Sequence, residues 1–103
     1  MSTTVRVGIL ATLKAQPGKE IQVEEFLKSA LPLAIQERDT TVWFAIKLND
    51  STFGVFDAFP NDSGRQAHLS GEIAAALMGN WKDLLSEPPK IETVDVLAAK
   101  LSS

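Results

Sequence analysis

His68 is the only histidine in the chain, and its neighbours suggest work for it. An imidazole titrates near neutral pH, so it suits the removal of a proton from a phenol or hydroquinone, leaving an anion that reacts with oxygen. Glu72 lies one helical turn further on, where a carboxylate would favour the charged ring. The alternative for His68 is a local hydrogen bond and no chemistry. Asp57 is the second candidate, because it interrupts the aromatic stretch from Thr52 to Pro60. Burial would raise its pKa and make it a second acid or base, whereas pairing with Arg6, Lys47 or Arg65 would keep it ionised.

Around these two groups the sequence offers material for a ligand wall. Trp43, Phe44, Phe53, Phe56 and Phe59 fall on neighbouring segments and suit a planar apolar ligand, although the same residues also suit a core. Trp43, Phe44 and Phe56 are the candidates for substrate contact. The Trp43 indole N–H could donate to a substrate oxygen, or serve core or dimer packing. Arg65 precedes His68 by less than one turn and could hold an anionic or quinone oxygen, or else face solvent. His68 and Glu72 also have the spacing of two metal ligands. A transition-metal site needs at least a third, and the chain has no second histidine and no cysteine, so neither a metal nor another cofactor is expected.

The elements that must position these residues follow from periodicity. Thr52 to Phe59 reads as a central strand ended by Pro60, with Phe53, Val55, Asp57 and Phe59 on one face and Gly54, Phe56 and Ala58 on the other. Val5 to Leu13 alternates as a first strand, and Thr40 to Leu48 as a second, joined to the central one by an Asn49-Asp50-Ser51 turn. From Lys19, apolar residues at Val23, Phe26, Leu27, Ala30, Leu31 and Ala34 mark an amphipathic helix that Pro32 should kink or end. Asn61 to Gly64 supplies N-caps for a second helix from about Ser63 to Met78, which Gly79-Asn80 should end. A short turn around Trp81 to Leu85 and the Pro88-Pro89 pair lead into a last strand from Ile91 to about Ala99.

The totals bound the function. With 103 residues, 45% of them hydrophobic and 22% charged, the expectation is one soluble domain over residues 1–103, placed in the cytoplasm. No segment approaches the roughly 20 apolar residues of a membrane span, and Met1 to Leu10 lacks the apolar run of a signal peptide. The absence of cysteine excludes disulfides and thiolate nucleophiles. A net charge of −3 without any basic run argues against nucleic acid, even though the aromatic central strand echoes an RNA-recognition motif.

The order βαββαβ with right-handed crossovers makes an α+β, ferredoxin-like antiparallel sheet with both helices on one side. The other side would be bare yet apolar, so a second copy packed face to face is the economical cover, and a homodimer is expected. This layout, the segment Phe53-Gly54-Val55-Phe56-Asp57-Ala58-Phe59 running into Arg65-Gln66-Ala67-His68-Leu69, and the ending Val94-Asp95-Val96-Leu97-Ala98 resemble the antibiotic biosynthesis monooxygenase domain over roughly residues 4–101. The resemblance implies a dimeric α/β barrel with a pocket between each sheet and its helices. It also implies oxidation of an aromatic or quinol by molecular oxygen without metal or flavin. Against the pattern of that family's members with studied chemistry, this chain has no tyrosine, and its first strand lacks the asparagine of the related haem-degrading proteins. The expected function is therefore a cofactor-independent monooxygenase or oxidase acting on a small aromatic or quinol, with a non-catalytic small-ligand-binding dimer as the alternative.

Overall fold

A computed structural model describes residues 4–101 of the chain. Four strands, β1 (Val7–Lys14), β2 (Val42–Lys47), β3 (Thr52–Phe59) and β4 (Lys90–Asp95), form one sheet in the order β2-β3-β1-β4. Every neighbouring pair is antiparallel. Four helices fill the connections: α1 (Glu20–Ser29), α2 (Leu31–Gln36), α3 (Asp62–Leu69) and α4 (Glu72–Leu84). This is the ferredoxin-like α+β arrangement, with each crossover helix of the simple βαββαβ scheme divided in two.

The two central strands explain the core. β1 and β3 carry apolar side chains at alternating positions, so one face of the pair offers Ile9, Ala11 and Leu13 beside Phe53, Val55 and Phe59. Val23 and Leu27 of α1, with Leu85 after α4, close over Ala11, Leu13, Phe53 and Val55. A smaller cluster of Ala30, Ala34 and Ile73 joins the helices to one another, and Trp43 packs against both clusters. On the opposite face Phe44 and Ile46 remain 56% and 41% exposed.

The first helical segment is interrupted close to Pro32, in keeping with the sequence, while the second differs from the periodicity reading. The first breaks at Ala30, ahead of Pro32, which then occupies the first turn of α2, where its missing N–H deprives the helix of nothing. The second starts at Asp62 and breaks at Ser70-Gly71: Ser70 Oγ turns back to the carbonyls of Gln66 and Ala67, and Gly71 N–H bonds to His68 O. α4 then runs through Gly79 and Asn80 instead of stopping there, because Leu77, Trp81 and Leu84 pack against the core. The Asn80 amide donates to Ala76 O inside the helix and caps nothing. β4 is shorter than expected: it ends at Asp95, opposite Val7 at the start of β1, followed by one further bond from Val96 N–H to Arg6 O.

Candidate functional site

Three elements converge on one ring. α3 is capped by Asn61, whose side chain accepts the Gly64 N–H at 3.0 Å, and it presents His68 in its last turn. Gly64 permits the approach of α3 to the α2–β2 connection, since a Cβ there would lie 3.0 Å from Asp39 Cβ and 3.2 Å from its carbonyl oxygen. β3 supplies Asp57 from below. The residue that ends α2, Glu37, comes in from the side.

The His68 ring is held at both nitrogens. Nδ1 is 2.6 Å from Glu37 Oε1, and Nε2 is 2.9 Å from Asp57 Oδ2. Glu37 Oε1 also accepts from Thr40 Oγ1 at 2.7 Å, and the Phe59 ring lies 5.5 Å from the imidazole, tilted by 42°. Burial opposes the charged ring, but the hydrogen bonds to Asp57 and then Glu37, with the charges of both carboxylates, outweigh it and raise the pKa from 6.5 to about 9. At neutral pH His68 is thus an imidazolium that donates from both nitrogens. In that state it has no lone pair with which to take a proton.

These partners differ from those the sequence suggested. Glu72 lies beyond the Ser70-Gly71 break at the start of α4, and His68 bonds to Glu37 and Asp57 instead. Asp57 pairs with His68 rather than with Arg6, Lys47 or Arg65. Glu37 escaped sequence reasoning because it is 31 positions from His68, in a polar run that looks like any solvated helix end. Its one signal was a place beside a helix terminus, where side chains serve chain reversals.

Two buried polar atoms have no hydrogen-bond partner among the described residues: Asp57 Oδ1 and Trp43 Nε1. They belong to residues directly opposed across β2 and β3, so both side chains leave the sheet on the helix side. One is an acceptor and the other a donor. Buried groups of this kind are usually satisfied, so an unmatched pair on neighbouring residues requires an explanation.

The remaining candidates lie elsewhere. Phe44 and Phe56 oppose each other in the next row of the sheet, on the open face, and the sheet separates them from His68. Arg65 is 15% exposed and already engaged: it bonds Asp62 through Nε and Nη2, at 3.0 and 2.8 Å, and points Nη1 at the carbonyls of Gly8 and Val94. The structure therefore joins His68 to Asp57, sets Trp43 opposite Asp57 in register, and leaves Phe44, Phe56 and Arg65 apart. A cleft of about 110 Å³ borders His68 and includes Glu37, Asp39, Thr40 and Ala67 in its lining; one of about 260 Å³ adjoins it and includes Glu37, Gly71 and Glu72. Among the described residues no group of three or more His, Cys, Asp or Glu is placed to hold a metal ion.

The sheet order, the split crossovers and the buried ion cluster define an α+β protein of the ferredoxin-like class. In fold it matches two proteins named only provisionally as antibiotic biosynthesis monooxygenases. One, from Caulobacter crescentus, has TM-score 0.76, 20% identity and 93% of each chain covered. The other, from Nitrosomonas europaea, has TM-score 0.79, 14% identity, and 89% of this chain and 99% of that one covered. The chain thus shares the fold of these two proteins. It belongs to the same family as the NE2512 protein of unknown function from Nitrosomonas europaea, with which it shares 55% identity over 99% of each chain at TM-score 0.96. Neither a family model nor a curated protein matches the chain. No helix among the described residues is long and apolar enough to cross a membrane.

Proposed function

We propose that the chain is a cofactor-independent oxidase or monooxygenase of a small aromatic or quinol, in which Asp57 takes the substrate's hydroxyl proton. The unpartnered Asp57 Oδ1, on the residue directly opposed in register to Trp43 with its own unpartnered Nε1, carries this reading. A hydroxyl is the group that satisfies both: its O–H donates to the carboxylate while its oxygen accepts from the indole. Transfer of the proton leaves an oxyanion that keeps the Trp43 bond, which strengthens as negative charge develops in a site shielded from water. The electron-rich anion then reduces oxygen. For a quinol, two electrons and two protons pass to O₂, giving quinone and hydrogen peroxide; for a phenol, all four electrons come from the substrate, one oxygen atom entering the ring to leave a quinone and the other leaving as water. His68 holds Asp57 in place rather than acting as the base. Phe44 and Phe56 belong, in this reading, to the face on which a second copy packs to make a homodimer.

A non-catalytic binding role has one observation in its favour: the cleft beside His68, at about 110 Å³, is below the roughly 300 Å³ of typical ligand sites. Dissolved-oxygen consumption with a panel of hydroquinones separates the two. The oxidase reading expects substrate-dependent uptake that falls about a hundredfold in Asp57→Asn and in His68→Ala. Uptake that ignores the substrate supports the binding role, and substrate-dependent uptake that survives both substitutions overturns Asp57 as the base.

A further inference from the structure

The titratable side chains at the site form a line rather than a cluster. Glu37 is 20% exposed and borders both clefts; His68 is 8% exposed; Asp57 is 1% exposed and has one buried oxygen without a hydrogen-bond partner. Contacts of 2.6 and 2.9 Å join them in that order, both within hydrogen-bonding distance. Solvent therefore connects to the buried carboxylate through two consecutive hydrogen bonds and one aromatic ring.

We propose that Glu37 is the solvent end of a proton path, through which a proton gained at Asp57 Oδ1 is matched by one released from His68 Nδ1 to water. This rests on reading Asp57 as a proton acceptor, but not on any oxygen chemistry. The resting line is Glu37⁻, His68⁺, Asp57⁻, with net charge −1. When Asp57 gains a proton, the imidazolium loses one of the two carboxylates that hold its charge, while burial continues to oppose that charge. Nδ1–H then passes to Glu37 Oε1 and on to water, while Nε2–H stays bonded to Asp57 Oδ2. The line ends as Glu37⁻, neutral His68 and neutral Asp57, again −1, so uptake in the interior leaves no uncompensated buried charge. When Asp57 gives up its proton, His68 recharges by the same route. Other charged groups border the outlet without touching the ring: Arg38 and Asp39 in the smaller cleft, Glu72 in the larger. Glu37 thus acts through His68, as a positioning and relay residue.

A single histidine makes the test direct. In ¹⁵N-labelled protein the two ring N–H protons of His68 are read individually, and their exchange with solvent needs no substrate. Expected is an Nδ1–H that exchanges at least about tenfold faster than Nε2–H, a ratio that collapses toward one in Glu37→Gln and persists in Glu37→Asp and Glu72→Gln. The amide introduced by Glu37→Gln keeps the hydrogen bond without carrying a proton, so a purely structural role would leave the ratio unchanged. Equal rates in the parent, or an unaltered ratio in a folded Glu37→Gln, overturn the path. Should Glu37→Gln not fold, the parent ratio and Glu37→Asp still decide it. Absence of oxygen uptake would leave this result standing, so the two readings fail separately.

Discussion

Adjacent rows of the same strands meet opposite surroundings. Ile9, Asp57 and Trp43 are paired across β1, β3 and β2 and face the helices; Leu10, Phe56 and Phe44, one residue along, face away from them. The covered row holds an ion pair and two unpartnered polar atoms where apolar groups would pack most cheaply. The open row holds phenyl rings where water waits, with Phe44 more than half exposed. Each side thus breaks the ordinary rule of burial. The covered side is equipped to handle a polar group and the open side to be covered by an apolar one, so one sheet separates two tasks.

The largest expected effect lies on the covered side. His68→Ala leaves Asp57 as a buried charge without a partner and should lower the unfolding free energy by about 3–5 kcal/mol in denaturant titration. Glu37→Met combined with His68→Met and Asp57→Leu removes every member together and should recover most of that loss, because an apolar core needs no ion cluster. If the triple variant is as unstable as His68→Ala, the cluster is a structural necessity and the contrast between the rows weakens.

A pH titration sharpens the same point. The folded-state pKa of His68 is raised, so its contribution is complete below the unfolded value of 6.5 and is lost as pH rises through about 9. The size of the shift corresponds to about 3 kcal/mol across that window. The decline should be absent in His68→Phe when both proteins are unfolded in urea at pH 6 and pH 9.5.

The open side should respond in association rather than in folding. Phe44→Glu is expected to weaken self-association at least about tenfold in analytical ultracentrifugation, while monomer stability shifts by less than about 0.5 kcal/mol, as for other surface sites. A protein that sediments as a monomer before the substitution removes the second copy from the account. The smallest effect concerns the helix that carries the histidine: Asn61→Ala removes the cap on Gly64 N–H and should cost about 1 kcal/mol.

How much of this was legible in the sequence depended on range. Alternation along Thr52–Phe59 and the turn at Asn49–Ser51 are local signals, and they placed the hairpin and its two faces correctly. Pro32 marked the interruption of the first helix to within two residues, whereas the break at Ser70-Gly71 was harder, since Gly71 lies within an apolar periodicity that runs on past it. The pairing of His68 with Glu37 was out of reach, because it depends on how α2 and α3 dock on the sheet and not on spacing along either. Aromatic content alone groups Phe44 and Phe56 with Trp43 on neighbouring strands. Register separates them by face: each is one residue from the Trp43–Asp57 pair, and one residue is the thickness of a sheet.

The most direct test of the account is the charge state of the one histidine. Nitrogen-15 chemical shifts of His68 at pH 7.5 should report an imidazolium protonated at both Nδ1 and Nε2, titrating near 9 and falling toward its ordinary value in Asp57→Asn. A neutral ring at pH 7.5, with one bare nitrogen and a titration near 6.5, would contradict the carboxylate–imidazolium–carboxylate line and return the role of base to His68.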